Sequence, residues 1–466
     1  MNEEYRIEHD SLGKVKVPAR ALWGAQTERA RRNFRISGIQ LNRFPWLMVA
    51  FAMTKQAAAR ANGKLGRLDE RKLQAIESAC AEIASGQHHD AFPLDYLQGG
   101  AGTSLNMNAN EVIANLANER LGGRRGFYEP VRPIDDVNAS QSTNDVYPTA
   151  IRLSVLLAHK ALEEAVTRLA DAFDERAAAF REVIKLGRTQ MQDAVPMTLG
   201  QEFAAFAAVL REDILRLRET ARLLAEVNLG GTAIGTGLNA PAGYAEIALR
   251  ELSAISGKPL VQAANLIEAS WDMGGFVLFS GMLKRLAVKL SKIANDLRLL
   301  SSGPRGGLGE ILLPQMQPGS SIMPGKVNPV IPEVVNQVAF QVIGNDLAIT
   351  LAAEAGQLQL NAMEPLIAGN LHLSMQILTG AMQTLTENCV RGIRADAARC
   401  RAHLDASVGI VTALVPVIGY RRSAELAHES LEGGRTIADL AVEQGLVTAE
   451  LASEILDPFT LVRQAT

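Results

Sequence analysis

The chain has 466 residues, of which 47% are hydrophobic and 21% are charged. That length exceeds what one hydrophobic core usually supports, so we expect several domains or one elongated helical body. Lys and Arg number 47 against 50 for Asp and Glu, which gives a formal net charge of -3. Because nucleic-acid-binding domains carry strongly basic surfaces, this balance argues against nucleic acid as a partner.

The first ten residues are acidic and lack the apolar stretch of a signal peptide. No apolar run in the sequence is long enough to cross a bilayer, so we expect no membrane partner. The cysteines Cys80, Cys389 and Cys400 match neither a zinc-binding spacing nor an even set of disulfides. These features predict a cytoplasmic protein.

Residues 1–140 mix short segments with Pro and Gly and are predicted to form an N-terminal domain. Ala and Leu then dominate long stretches, and aromatic residues make up only 5% of the chain, which favours helices over sheets. The sequence therefore predicts a mainly α fold with a central helical bundle over residues 141–396. A noisy helical pattern covers 149–182 within that bundle.

The clearest helix is predicted over residues 198–228. It opens with Thr198-Leu-Gly-Gln201, a capping-box pattern, and apolar residues then recur every three or four positions as far as Leu224. At the rise of an α-helix this segment would be about 45 Å long. Helices of this length bury their apolar stripes best side by side, often with copies from other subunits.

A second apolar stripe runs from Phe279 to Leu300, and weaker patterns cover 331–352 and 366–393. The helical stripe ends near residue 397, and we expect a small C-terminal domain over 397–466. Segments rich in Gly, Ser, Thr and Asn are predicted to form the loops between helices, at 98–108, 138–144, 187–196, 228–239 and 303–328.

The last of these loops contains the sequence Gly-Ser-Ser-Ile-Met-Pro-Gly-Lys-Val-Asn, with hydroxyls at Ser320 and Ser321, a cation at Lys326 and an amide at Asn328. Together with backbone N–H groups near the glycines, such a loop can hold a carboxylate and stabilise negative charge developing on it. The alternative is a polar turn before the next helix, since Gly, Ser and Pro are common in turns.

Three further segments, 102–108, 140–145 and 187–193, gather hydroxyls and amides with few charges. Each alone is typical of a helix cap or a turn. Together they offer many neutral donors for a small dianionic substrate, with Lys326 as a candidate partner for one carboxylate.

The pattern Gly-Ser-Ser-x-Met-Pro-x-Lys-x-Asn resembles the signature of the aspartase/fumarase superfamily. The resemblance covers nearly the whole chain, including Gly-Thr-Ser-x-Asn-Met-Asn, Ser-Thr-Asn-Asp and the glycine-rich segment 229–239. It implies a three-domain, mostly helical subunit and a homotetramer whose central helices form a shared bundle. It also implies that each active site takes loops from three subunits.

Members of the superfamily remove a proton beside one carboxylate and expel a group from the neighbouring carbon, which yields fumarate or a fumaryl product. The resemblance implies that Ser320 is the base, acting as an alkoxide. It implies that Ser321 and the loop amides receive the charge of the aci-carboxylate intermediate. No metal or other cofactor is implied.

The same resemblance implies the residues that bind substrate. The substrate carboxylate that does not take part in the reaction would be held by Thr189, Lys326 and Asn328. The β-carboxylate and the leaving group would be surrounded by Thr103, Ser142, Thr143 and Asn144. Glu333 would orient Lys326, or would serve as a plain helix-start carboxylate.

The middle of the chain is most similar to aspartate ammonia-lyases, which favours reversible conversion of L-aspartate to fumarate and ammonia. The segment 22–27 is more similar to class II fumarases, so a fumarate hydratase is the alternative. Fumarases usually place His where this chain has Gln190, and an amide cannot titrate near neutrality. A non-catalytic structural relative is a more remote alternative.

Two other patterns are rejected as cofactor sites. Gly235-Thr-Gly237 satisfies a loose dinucleotide-binding pattern but follows a helix and lacks the later acidic residue. The adjacent histidines His88 and His89 cannot easily share one metal ion, and we expect a solvated helix end there.

Overall fold

The structure is a computed structural model that describes residues 4–463. The predicted mainly α class is confirmed, since fifteen α-helices and only four two-stranded sheets occur in that range. The helices, in chain order, are α1 (Ala25–Asn33), α2 (Pro45–Lys64), α3 (Glu70–Ala84), α4 (Thr103–Arg120), α5 (Thr143–Ala179), α6 (Leu199–Arg222), α7 (Tyr244–Ser256), α8 (Gly274–Leu300), α9 (Val330–Glu354), α10 (Glu364–Asn388), α11 (Ala397–Asp405), α12 (Val415–Gly433), α13 (Ile437–Glu443), α14 (Ala449–Ile455) and α15 (Pro458–Arg463).

The strands form four pairs, three of them antiparallel and one parallel. The antiparallel pairs are β1 (Tyr5–Asp10) with β2 (Gly13–Pro18), β3 (Ile184–Thr189) with β4 (Gln192–Thr198), and β7 (Ile311–Leu312) with β8 (Arg394–Ala395). The parallel pair is β5 (Glu226–Val227) with β6 (Val261–Gln262).

The predicted capping box is present at the start of α6. The backbone N–H of Gln201 donates to Oγ1 of Thr198 at 3.0 Å, and the Thr198 N–H donates to Oε1 of Gln201 at 3.0 Å. The helix is shorter than predicted, because a 3₁₀ turn over Leu223–Ala225 follows Arg222 and leads into β5. Its 24 residues span about 36 Å.

Contacts divide the chain into two compact units. Among the described residues, unit 1 comprises 4–163, 215–285 and 340–378, and unit 2 comprises 164–214, 286–339 and 379–463. The divisions fall inside the five long helices α5, α6, α8, α9 and α10. The predicted domain boundaries at 140 and 396 stay a prediction.

In unit 1, polar contacts join the long helices. His372 of α10 lies 2.7 Å through Nε2 from Oγ of Ser154 on α5. Asp346 of α9 accepts hydrogen bonds from Ser280 at 2.7 Å and Lys284 at 2.6 Å, both on α8. Because all of these partners lie on facing helices, the bundle carries specific polar pairs as well as apolar stripes.

In unit 2, aromatic and charged contacts join the long helices. Phe173 of α5 packs edge-on against Phe203 of α6, with ring centroids 5.9 Å apart. Lys289 of α8 donates to Asp213 of α6 at 2.7 Å. A separate small core in the last helices contains Leu414, Leu426 and other buried apolar side chains.

Four of the five predicted loops are wrong in part, since α5 begins at Thr143 within 138–144 and β7 lies within 303–328. Residues 187–196 fall mainly within the β3–β4 hairpin. In 98–108, helix α4 begins at Thr103, so the Asn-rich part of that segment is helical. Among residues 4–463, no single helix combines the length and apolar composition needed to cross a membrane, although the bent pair Ala397–Asp405 and Gly409–Gly433 satisfies both criteria together.

Candidate active site

The signature loop, residues 319–328, belongs to unit 2 and is closed at its base by two hydrogen bonds. The Gly319 N–H donates to the carbonyl oxygen of Lys326 at 2.8 Å. The Asn328 side-chain amide donates to the carbonyl oxygen of Gly319 at 2.7 Å. A Cβ at Gly319 would lie 2.6 Å from the Lys326 oxygen, so this closure requires glycine.

Ser320 lies next to this closure and is half-buried. Its Oγ accepts hydrogen bonds from the backbone N–H groups of Ile322 at 3.2 Å and Met323 at 3.0 Å. Two N–H dipoles aimed at one hydroxyl oxygen favour negative charge on that oxygen. The arrangement therefore lowers the free energy required to form a serine alkoxide.

The tip of the signature loop is open to solvent. Ser321 and Lys326 are exposed, and the side chain of Ile322 is 84% exposed. Asn328 is half-buried because it closes the loop base. Glu333 lies in the first turn of α9, where a carboxylate interacts favourably with the helix dipole.

Thr189 ends strand β3 and is exposed. It pairs with Gln192 across a two-residue turn formed by Gln190 and Met191, whose φ angles are 54° and 64°. Two residues with positive φ are the requirement of the hairpin turn that matches the strand twist. The turn therefore presents Thr189 and Gln190 at the tip of the hairpin.

The hairpin is held by a buried charge cluster around Glu310. This carboxylate lies 3.1 Å from Nζ of Lys185, 2.7 Å from Nη1 of Arg188 and 2.9 Å from Nδ1 of His403. Burial alone would raise the pKa of Glu310, but Lys185, His403 and Arg188 outweigh it and hold the pKa below the usual value. Since Arg188 precedes Thr189 directly, the cluster positions the end of β3.

The remaining candidate residues belong to unit 1 and lie at helix N-termini. Thr103 is exposed at the first position of α4, directly after Gly102, whose φ is +85°. Ser142, Thr143 and Asn144 lie at the start of α5 and are half-buried. The Asn144 side-chain amide donates to the carbonyl oxygen of Ala233 at 2.8 Å.

The carboxylate of Asp145 holds the start of α5 in place through backbone hydrogen bonds. Its Oδ1 accepts the Ser142 N–H at 2.9 Å, and its Oδ2 accepts the N–H groups of Gly230 at 2.8 Å and Thr232 at 3.2 Å. Burial raises the pKa of Asp145 to about 6, although these three N–H groups favour the ionised form. Asp145 thus joins the start of α5 to the glycine-rich segment after β5.

The structure therefore places the predicted site residues in two sets, each within one unit. Unit 2 carries the base candidate and most of the predicted carboxylate ligands, namely Thr189, Ser320, Ser321, Lys326 and Asn328. Unit 1 carries the candidates for the β-carboxylate and the leaving group, namely Thr103, Ser142, Thr143 and Asn144.

Residues 13–344 match the family described as lyase, and residues 410–463 match the family described as the fumarase C C-terminus. A protein of Pseudomonas fluorescens named aspartate ammonia-lyase is 59% identical over 98% of this chain and 96% of its own length. One of Escherichia coli K12 with the same name is 49% identical over all of this chain and 98% of its own. The chain belongs to the aspartase/fumarase superfamily of lyases, in its aspartate ammonia-lyase family.

Solved structures of the superfamily agree with this assignment. A protein from Brucella melitensis described as fumarate lyase:delta crystallin bound to cobalt is 59% identical, with a TM-score of 0.96 over 99% of this chain and all of that one. The class II fumarase from Schistosoma mansoni is 35% identical, with a TM-score of 0.94 over 99% of this chain and all of that one. The family resemblance inferred from the signature is thus confirmed.

Sequence reasoning about this superfamily member missed Asp145 and Lys55 as supporting residues. Lys55 lies fully buried in α2 and donates to the side-chain oxygens of Asn138 and Gln141, both at 2.9 Å. A Lys in the middle of the apolar, Ala-rich stretch of α2 was the available signal, because a Lys is almost never fully buried without partners. Asp145 was visible only as the last residue of the Ser-Thr-Asn-Asp motif.

In the part of the chain that the structure describes, no group of three or more His, Cys, Asp or Glu side chains is arranged to hold a metal ion. The rejected pair His88 and His89 is engaged with other groups, since His88 lies 3.1 Å from Glu82 and His89 lies 2.9 Å from the carbonyl oxygen of Ile83.

Proposed function

We propose that the protein catalyses the reversible deamination of L-aspartate to fumarate and ammonia. The observation that carries this proposal is the position of Ser320, whose hydroxyl oxygen accepts two backbone N–H groups in an exposed loop. Near full-length identity of 49–59% to proteins named aspartate ammonia-lyase supports the choice of substrate.

In the proposed mechanism, Ser320 removes a proton from Cβ of L-aspartate. The alkoxide takes the proton and becomes a hydroxyl, and the C–H electron pair moves into the β-carboxylate to give an aci-carboxylate. Collapse of this intermediate forms the Cα–Cβ double bond and breaks the Cα–N bond, and the protonated amino group leaves with the electron pair of that bond as ammonia. The same Ile322 and Met323 N–H groups that favour the alkoxide make Ser320 a usable base.

Ligands for the two carboxylates follow from the chemistry of the side chains. Lys326 supplies a full positive charge, and Thr189 and Asn328 supply neutral donors for the carboxylate that does not react. Ser321, with the loop amides, receives the charge on the aci-carboxylate. The unit 1 residues Thr103, Ser142, Thr143 and Asn144 surround the β-carboxylate and the amine.

The proposed steps use a base and hydrogen-bond donors, and they involve no net oxidation or reduction. We propose a cytoplasmic location for the enzyme. Because of the chemistry of these steps, we assign no nicotinamide, metal or prosthetic group to the reaction. Exhaustive dialysis against a chelator tests whether a metal is needed. Activity that is lost completely and restored by one specific ion would contradict that assignment.

We also propose that the active form is a homotetramer whose sites take loops from three subunits. The support is a line of exposed apolar side chains along α9, where Phe340 is 63%, Leu347 61% and Leu351 60% exposed. Their spacing of seven and four residues puts them on one helix face, and a contiguous exposed apolar face marks a protein interface.

The proposed activity is tested by giving the purified protein L-aspartate and L-malate separately and following fumarate absorbance. We expect rapid fumarate formation from L-aspartate and at least a hundredfold smaller kcat/KM for L-malate, a difference of about 2.7 kcal/mol in transition-state stabilisation. The reverse preference would make the protein a class II fumarase, the alternative favoured by the segment 22–27. Inactivity on both substrates would favour a non-catalytic relative.

A further inference from the structure

A buried chain of polar side chains in unit 1 leads from Lys55 to the start of α5. Lys55 donates to Oδ1 of Asn138 at 2.9 Å. Asn106 of α4 is 1% exposed, and its Nδ2 lies 3.2 Å from the same Asn138 oxygen and 3.0 Å from Oγ1 of Thr143. The proposed mechanism uses only the last member, Thr143.

A contact with a backbone carbonyl fixes the orientation of the Asn138 side chain. Burial lowers the pKa of Lys55 to about 7, so its amino group does not by itself determine which end of the Asn138 amide faces it. The other end of the Asn138 amide lies 3.2 Å from the backbone carbonyl oxygen of Gln141 and must therefore be the nitrogen. The Asn138 oxygen consequently points toward Lys55 and toward α4.

The orientation of Asn138 dictates that of Asn106. An oxygen cannot donate, so the Asn106 atom that approaches the Asn138 oxygen must be the amide nitrogen. Asn110, which lies one turn further along α4, meets the same oxygen through its own Nδ2 at 3.1 Å. Because the Asn106 nitrogen also faces Thr143, the Thr143 oxygen accepts from it and directs its own hydrogen elsewhere.

We propose that Asn106 is a positioning residue that makes the Thr143 hydroxyl a hydrogen-bond donor toward the substrate. This inference rests on the proposed function, in which Thr143 lies against the β-carboxylate. A carboxylate accepts hydrogen bonds only, so a hydroxyl whose oxygen is already engaged and whose hydrogen is free is matched to it. Preorganised donors act without reorientation when charge develops on the substrate.

Asn108 provides a matched control on the same helix. It is fully buried, and its Nδ2 donates to the carbonyl oxygen of Ala91 at 3.0 Å. Replacing either Asn106 or Asn108 by Ala therefore removes one buried side-chain amide from α4. Only the replacement of Asn106 removes the donor to Thr143.

The test is a double-mutant cycle on kcat/KM, combining Asn106→Ala with Thr143→Val, and Asn108→Ala with Thr143→Val. The substrate is L-aspartate, or L-malate if the wild-type protein turns over only that. We expect Asn106→Ala and Thr143→Val each to lower kcat/KM about tenfold or more, equivalent to ~1.4 kcal/mol. The double variant should fall within about twofold of Thr143→Val, because Asn106 acts through that hydroxyl. Asn108→Ala should combine with Thr143→Val multiplicatively.

If Asn106→Ala does not assemble, Asn106→Asp takes its place in the cycle. A carboxylate at this position keeps the size of the side chain but attracts the Thr143 hydrogen away from the substrate, so its loss of kcat/KM should also disappear in the Thr143→Val background. Multiplicative losses for Asn106 and Thr143 would overturn the inference and leave the proposed function standing. A wild-type protein inactive on both substrates would overturn both.

Discussion

The carboxylate of Glu310, which is fully buried, lies 2.7 Å from Nη1 of Arg188, the residue before Thr189. Lys185 and His403 complete its surroundings. Removing one member of a buried ion cluster leaves the other charges unpaired, which destabilises far more than loss of a surface pair. The hairpin that presents Thr189 thus depends on the Glu310 carboxylate, which has no role of its own in the proposed reaction.

The first prediction concerns this cluster. We expect Glu310→Ala to lower the free energy of unfolding by about 3–5 kcal/mol and to raise KM. Glu387→Ala removes the partner of Arg391 at an exposed position of the same unit. This change should lower the free energy of unfolding by at most about 1 kcal/mol. Chemical denaturation of both variants makes the comparison, and equal effects would contradict the positioning role of Glu310.

The second prediction concerns the base. Ser320→Ala should lower kcat by at least about a thousandfold, because no other group is assigned to proton removal, while the Tm stays near that of the wild type. The exposed loop serine Ser85, changed in the same way, should leave kcat unaltered. Residual activity within about tenfold of wild type, ~1.4 kcal/mol, would place the base elsewhere.

The third prediction concerns the closure of the signature loop. Gly319→Ala would bring a methyl group to 2.6 Å from the Lys326 oxygen, so the loop base must open and Ser320 must move. We expect a large fall in kcat/KM with little change in Tm, since the loop tip is exposed. Gly86→Ala tests backbone strain alone, because its φ is +94° and nothing lies within 4 Å of its Cβ. It should leave kcat/KM unchanged.

The fourth prediction concerns assembly. Leu347→Glu places a charge in the middle of the exposed apolar face of α9 and should convert tetramers to smaller species with loss of activity. Leu12→Glu, at a turn position that is 79% exposed, should do neither. Light scattering measures the mass, and a fully active monomeric wild type would refute the shared sites.

The fifth prediction concerns acid stability. Burial lowers the pKa of His372 from 6.5 to about 4, so between those values the unfolded chain binds a proton that the folded chain does not. Stability therefore falls as pH decreases from 6.5 to 4, by up to about 3 kcal/mol from this residue. His372→Gln should reduce that slope, whereas His428→Gln, at an exposed position, should preserve it. An unchanged slope in His372→Gln would contradict the assignment.

Local patterns were sufficient to predict the long helices, because a capping box and an apolar stripe are short-range features. The end of α6 was not predictable in the same way, since Leu224 continues the apolar period beyond Arg222. The β3–β4 hairpin was missed because its turn is Gln190-Met191, without the glycine or asparagine that usually marks such turns.

The candidate residues themselves followed from the signature and its companion motifs. Their supporting partners did not, since each depends on contacts between segments far apart in the chain. Asp145 acquires its role from the N–H groups of Gly230 and Thr232. Lys55 acquires its role from Asn138, which no short pattern links to α2.

The left-handed backbone at Gln190, with φ of 54°, limits how this position can diversify. Histidine and asparagine tolerate that conformation, whereas β-branched residues do so only with strain. A Gln codon becomes a His codon through a single nucleotide change. A titratable imidazole can therefore enter the hairpin tip by one mutation without remodelling the backbone, which makes this turn an accessible evolutionary route between branches of the superfamily.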